Sequence, residues 1–508
     1  MARHPRFIAS RETPGRMLPL AVAAVSVVAL APAASAADPG QGHGHHHRHY
    51  TPGAPGVGDP YFPLEGNGGY DVRHYSLDLR YDPDYDQLDG TVTITARATQ
   101  NLSRFNLDLS GMDVERIWVD HRRARYDRRG QELTITPRRG LREGSVFKTV
   151  IRYGGVPQTI VGSPIVFGSP YGFLHTPDGA FVGGEPNGPR TWFPVNDHPS
   201  DKATYDYTLT VPEGLTAVAN GRLTGHRDVR ASFSRRRAPT RAEVFTWRED
   251  SPMASYLTTI DIGKWVVERG RTPGGVPNYT AVDPVLLAGQ PDAVDFFYGT
   301  TSEITDLWSE IFGPYPFSST GAIADDARFN GQPLGFSLET QSKPVYSAVR
   351  STGTIAHELA HQWFGDAVSP KQWDDIWLNE SFATWATWYY NELQGNRTAH
   401  DQARMTYASR PFPDPEDRPF WSVVLADPKR DTMFNARVYS GGAMMLQLLR
   451  EKVGDDTFLG LLRTWYARHK HGNAETTQFT ALAERMSGQD LTPFFKDWLY
   501  SPIKPDLP

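Results

Sequence analysis

The sequence predicts a multidomain α+β protein, an antiparallel β domain followed by a helix-rich domain, and three observations carry that expectation. The chain has 508 residues, too many for one compact core, so two or three domains are expected. Apolar and polar residues alternate with a period of two through the earlier part of the chain and follow the helical period later. The composition, 39% hydrophobic and 12% aromatic, suits buried cores rather than disorder.

Residues 1–36 read as a secretory signal peptide. Arg3, Arg6, Arg11 and Arg16 stand against one acid, Glu12; the apolar run LPLAVAAVSVVALAPAA follows; Ala34-Ser35-Ala36 then supplies a small-residue cleavage site. The run is short, broken by proline and followed by no basic stop, which fits a cleaved signal better than an anchor. Cleavage after Ala36 would take the formal charge from −6 to about −9, because the removed segment carries four arginines and one glutamate. A secreted protein with no further membrane span is the expectation. Residues 37–60, which include GQGHGHHHRHY, read as a flexible Gly/Pro/His-rich leader.

From residue 61 to 270 the pattern is that of strands. HYSLDLRYD, GTVTITARAT, ELTITP, SVFKTVIRYGG, TYDYTLTVP and SYLTTIDIGKWVVERG alternate between turn signals. TPGGVPN, Thr272 to Asn278, reads as a hinge. The segment 271–508 is helical in character. An amphipathic stretch runs up to Gly313 and Pro314, and others surround His357, Glu380 and Tyr439 or lie in GDDTFLGLLRTWYARHK and nearer the C-terminus.

The net negative charge argues against a nucleic-acid binder. The absence of cysteine excludes disulfides, thiol chemistry and cysteine-type zinc sites, so a metal must be held by His, Asp or Glu. The stretch TIAHELAHQWFGD offers such a site. His357 and His361 are four residues apart, one turn along a single helical face, and can present two imidazoles to one ion. Glu358 lies round the helix, where it can reach a water beside the metal without ligating it. Zinc needs a third protein ligand and an open position; Glu380, at the start of the aromatic-rich helix in WLNESFATWATWYY, is the best candidate. Asp366 and Asp375 could each accept the second N–H of a ligand imidazole or act as caps.

These segments resemble the zinc aminopeptidases of the aminopeptidase N and leukotriene hydrolase type. The likeness rests on HELAH followed by eighteen residues and Glu380, on WFPVNDHPSDKATYDYTLTVP, and on SEIFGPYPF, GFSLET and VYSGGAMMLQLLREKVGDDTF in the family's order. The resemblance implies a thermolysin-like catalytic domain, one Zn²⁺ per chain on His357, His361 and Glu380, and Glu358 as general base. It also implies Tyr439 as the donor to the oxyanion, and Glu339 with Glu185 as the anchor of the substrate's free amine. The family's Gly-x-Met-Glu-Asn segment falls on Phe336 to Thr340, keeping the glutamate alone, and its usual glutamine near Glu185 is Gly183 here. No long C-terminal helical domain is expected.

The implied function is a secreted zinc aminopeptidase acting on peptides with a free N-terminus, as a monomer. A thermolysin-like endopeptidase shares the zinc site but has no amine to bind. Lipid epoxide hydrolysis and a non-catalytic exported metal-binding protein are the other readings.

Overall fold

The computed structural model describes residues 49–233 and 238–507. The signal peptide and the leader as far as Arg48 lie outside the described residues.

The alternating segments build an eight-stranded sheet in the order Arg222–Ala231, Thr240–Met253, Ala203–Pro212, Tyr70–Asp82, Gln87–Ala98, Val146–Gly155, Asp113–Val119 and Arg122–Arg123. All its pairings are antiparallel except that of Ala203–Pro212 with Tyr70–Asp82. The period of two is visible in burial: Tyr75, Leu77 and Leu79 face the core while Asp78 and Arg80 are exposed. A four-stranded sheet contains Thr51–Pro52, Leu102–Asp108, Glu132–Thr136 and Arg125–Arg129. A five-stranded sheet includes Tyr171–His175, Ala180–Gly183 and Ile260–Gly263, and delivers the chain to Glu185.

The helix-rich half holds α1 (Ala293–Phe312), α2 (Thr352–His361), α3 (Trp377–Leu393), α4 (Ala399–Ser409), α5 (Gly442–Val453), α6 (Asp455–His469), α7 (Thr476–Ser487) and α8 (Thr492–Leu499). Phe297, Ile304, Trp308 and Phe312 form the buried stripe of α1. Trp308 Nε1 donates to Ala356 O at 3.1 Å, fixing α2 against α1. Ser351 caps α2 by accepting from Thr354 N. No helix among the described residues is long and apolar enough to cross a membrane.

Three expectations need correction. TPGGVPN is a tight hairpin rather than a hinge: Val266–Arg271 pairs antiparallel with Pro277–Val282, Thr272 N bonds Val276 O at 2.8 Å, and Gly275 takes φ 92°. Glycine and proline punctuate a hairpin as they would a linker. SYLTTIDIGKWVVERG is divided between two sheets. Ile260–Gly263 joins the sheet that leads to Glu185, and Val266–Arg271 opens another with Pro277–Val282, Thr320–Ala324, Val345–Tyr346 and Ser337–Leu338. That second sheet lies in the half expected to be helical. Its central strand, TGAIA, is buried throughout and so shows no alternation.

The last residues of the leader are also not free. Asp59 is buried, and its carboxylate accepts from Tyr61 N, Phe62 N and Trp373 N and faces His198 Nε2 at 3.2 Å. Burial works against the charge, but His198 and these donors outweigh it and hold the Asp59 pKa below the usual carboxylate range. Removing one partner of a buried pair typically costs about 3–5 kcal/mol, so Asp59→Ala should unfold at a markedly lower temperature. Because the folded pKa is depressed, this stabilisation is present above about pH 4 and is lost as pH falls through the folded value. The gap in melting temperature between wild type and variant should therefore close in acid; a constant gap would contradict this origin.

Candidate metal centre and active site

Helices α2 and α3 pack together and bring three donor atoms to one point. His357 Nε2 and His361 Nε2 are 3.1 Å apart, and they lie 3.3 and 3.4 Å from Glu380 Oε2. Ligand atoms about 2.0–2.1 Å from an ion at tetrahedral angles stand about 3.4 Å apart, so the triangle has the size that zinc requires. His361 Nδ1 lies 3.0 Å from Phe364 O, which assigns the N–H to Nδ1 and leaves the Nε2 lone pair toward the site.

The carbonyl of Phe364 thus takes the place considered for an aspartate. Asp375 instead accepts from Thr476 N and Oγ1 at 2.9 and 2.7 Å, at the start of α7. The Asp366 carboxylate is buried with no hydrogen bond to any described residue, and its backbone carbonyl accepts from Lys202 Nζ.

Glu358 shares the pocket: its carboxylate, that of Glu339 and a ring nitrogen of His361 lie within 4.8 Å of one another. Glu339 follows the strand Ser337–Leu338, and Glu185 follows Ala180–Gly183, so each amine-anchor candidate is delivered by the end of a strand. Oε1 of Glu339 and Oε1 of Glu185 are buried and accept no hydrogen bond from the described residues. Burial, reinforced by the neighbouring acids, raises the pKa of Glu185, Glu339 and Glu358. Burial also acts on Glu380, but the two histidines outweigh it and hold its pKa at about 2. Burial lowers the His361 pKa, and the carboxylates of Glu339, Glu380 and Glu358 more than reverse that. Glu185, Glu339 and Glu358 thus crowd one another around the donor triangle with their charged forms disfavoured, and a cation beside them would favour those charged forms.

Tyr439 donates its O–H to Glu380 Oε1 at 3.0 Å. It sits on a single π-helical turn, Arg437–Gly441, a geometry that concentrates at functional sites. Three features missed in the sequence hold that turn. Ser381, beside Glu380 on α3, donates its Oγ–H to Val438 O at 2.6 Å. A Cβ on Gly442 would overlap Ser381 Oγ, so the glycine admits the close approach. Arg437 is fully buried, with its guanidinium 4.9 Å from the Trp421 ring centre and Nη2 donating to Trp498 O at 2.8 Å. The pair of glycines after Tyr439 was the available signal.

Beside Glu185 and Tyr439 opens a cavity of about 340 Å³, with Phe167, Tyr171, Phe336, Leu338 and Phe434 among its walls. Gly183 and Phe336 fit as a pair: a Cβ at 183 would stand 2.7 Å from Phe336 Cε2.

A β domain joined to a helical domain that converges two histidines and a glutamate has the fold and metal site of a two-domain zinc metallopeptidase. The chain belongs to peptidase family M1: residues 72–257 match the peptidase M1 N-terminal domain and residues 332–498 the peptidase family M1 domain. Aminopeptidase M1 of Arabidopsis thaliana is 26% identical over 328 residues, 62% of this chain and 36% of that protein. Leucyl aminopeptidase of Saccharolobus solfataricus is 26% identical over 343 residues, 62% of this chain and 40% of that one. The chain therefore spans about two-fifths of the length of these curated relatives. Among solved structures, the M1 zinc metallopeptidase of Deinococcus radiodurans is 29% identical with a TM-score of 0.77, over 89% of this chain and 98% of that one. A mutant of that enzyme, solved with a Tyr-Ser-Ala substrate, is 28% identical with a TM-score of 0.77, over 89% and 99% of the two chains.

Proposed function

We propose that the protein is an aminopeptidase that removes the first residue from peptides with a free N-terminus, using one zinc ion per chain held by His357, His361 and Glu380. The observation that carries this reading is the pairing of a zinc-sized donor triangle with two buried carboxylate oxygens, on Glu339 and Glu185, that have no hydrogen-bond partner among the described residues. A substrate ammonium would supply the missing donors, and holding it fixes the scissile bond one residue in. An endopeptidase substrate carries no ammonium to place there.

Zinc in this site would supply Lewis acidity and lower the pKa of a water in the open position to about 7. Glu358, its pKa raised by burial, is placed to take a proton from the attacking water and hand it to the leaving amine. Tyr439 keeps its phenol protonated, because burial and the Glu380 charge raise its pKa. Its O–H can turn from Glu380 to the substrate carbonyl oxygen as charge develops there. Removing metal with a chelator should abolish hydrolysis, and one equivalent of zinc per chain should restore it; full activity after complete metal removal would end this reading.

The apolar cavity beside Glu185 and Tyr439 is placed to take the first side chain. Large apolar or aromatic first residues should therefore be preferred over acidic ones. Phe336→Ala is expected to lower kcat/KM for a leucyl or phenylalanyl amide by about 10–200-fold, as about 1–3 kcal/mol of apolar contact is lost, with an alanyl amide little affected. Equal effects on all three amides would contradict the assignment.

The N-terminal pattern, basic residues followed by an apolar run and Ala34-Ser35-Ala36, supports export with cleavage after Ala36. N-terminal sequencing of the mature protein tests this, and retention of Met1 would refute it.

A further inference from the structure

Between residues 116 and 142 the chain carries nine arginines against Asp120, Asp127 and Glu132, a local charge of +6 in a chain whose total is −6. The fold gathers four of these arginines. Arg116 lies on Asp113–Val119 and Arg123 on its hairpin partner, the last strand of the eight-stranded sheet. Arg125 lies on the edge strand of the four-stranded sheet, and Arg138 follows the neighbouring strand Glu132–Thr136. Asp120 and His121 make the turn with φ of 46° and 63°, and buried Ala124 carries the chain from one sheet edge to the other.

Between these edges lies a cleft of about 690 Å³ rimmed by Arg116, Arg123, Arg125 and Arg138, with Ile117 and Tyr126 also in its wall and no acidic residue lining it. All four arginines are exposed, and among the described residues none makes an ion pair or a side-chain hydrogen bond. The Tyr126 ring is held in place by its O–H, which donates to Val114 O at 2.8 Å. Charge at a sheet edge guards against unwanted strand pairing, but that role asks for neither one sign nor a shared cleft. Arg116 also stands directly opposite Arg152 on the next strand, a like-charge facing that destabilises a sheet.

We propose that this cleft binds an anionic glycan, sugar rings bearing carboxylate or phosphate groups, and so attaches the protein to an acidic polymer. A guanidinium presents paired N–H donors to two oxygens of either group. The apolar wall and the Tyr126 ring can take the face of a sugar, and the volume lies within the range of ligand sites. Single-stranded nucleic acid would ask for a series of stacking aromatics, and Tyr126 is the one aromatic lining the cleft. The inference is independent of the peptidase reading.

The test is calorimetric titration of the intact protein with a short oligogalacturonate, a phosphorylated oligosaccharide of the same length, a neutral malto-oligosaccharide and duplex DNA. At least one charged sugar should bind, the tighter of the two naming the anionic group, with an affinity that falls as salt rises. The neutral sugar should not bind. The double variant Arg123→Glu/Arg125→Glu should weaken binding by at least about tenfold, and Arg116→Gln/Arg138→Gln by less. Unchanged melting temperature and peptide hydrolysis in both variants show that the fold is intact. Neutral sugar binding as well as charged sugar, DNA binding more tightly than either, or both variants binding like wild type would overturn the proposal.

Discussion

Glu358→Gln is expected to lower kcat for amide hydrolysis by about 10³–10⁴-fold, at the upper end of what a positioned proton-transfer group contributes, with KM nearly unchanged. The reason is positional. The carboxylate lies within 4.8 Å of His361 and Glu339 without belonging to the donor triangle of His357, His361 and Glu380. Glutamine keeps the shape and removes the proton acceptor, so zinc content should stay at wild-type level. Stability should not fall either, because burial and neighbouring acids already disfavour the Glu358 charge. A variant that is inactive because it has lost its metal would show that Glu358 holds the site together rather than moving a proton. A variant that keeps more than about a tenth of wild-type kcat would remove it as the base.

The second large effect is expected at Glu339. Its buried carboxylate has an oxygen without a donor and shares the site with Glu185, whose pKa is raised by burial and then by the Glu339 charge. An ammonium placed between them would complete both groups. Charge-assisted hydrogen bonds of this kind are worth about 1.5–3 kcal/mol each, so Glu339→Gln should reduce kcat/KM for free-amine substrates by roughly 10–150-fold. The loss should appear largely in KM if the amine is held equally in ground and transition states, and in kcat if its hold positions the carbonyl. Hydrolysis of N-acetylated substrates should not decline with it. A variant with wild-type kinetics on free-amine substrates would contradict the anchor.

Much of this site is legible in the sequence because its physics is local. Spacing of four on a helix brings His357 and His361 together whatever surrounds them, and the aromatic-rich pattern around Glu380 announces a second helix able to face the first. Tyr439 is different. Its π-turn has no periodic signature, and what holds the turn, Ser381 on α3 and the aromatic surround of Arg437, comes from segments distant in sequence. A family resemblance could place it; residue patterns alone could not. The same limit hides the fit of Gly183 to Phe336, since each is unremarkable until the fold sets the end of the strand Ala180–Gly183 beside the residue that precedes Ser337–Leu338.

The fold divides in the same way. Half-buried strands such as Tyr70–Asp82 announce themselves by alternation, whereas the wholly buried Thr320–Ala324 gives no period to read. The Gly-rich turn at Gly274 and Gly275 carries identical local signals in a hairpin and in a linker; its pairing partner, Pro277–Val282, decides between them. Asp59 stands in a stretch whose composition suggests a free leader, yet His198 and the Trp373 backbone, both far along the chain, bury it.

The central claim is that the buried acids beside the metal site read a free N-terminus. The most direct measurement is the rate of hydrolysis of a set of fluorogenic amino-acid amides, each supplied with a free and with an N-acetylated amine, by zinc-loaded protein. The account predicts cleavage of the free-amine series, fastest for large apolar residues, with the acetylated series left intact. Cleavage of blocked amides or of internal peptide bonds at comparable rates would contradict it and make the protein an endopeptidase.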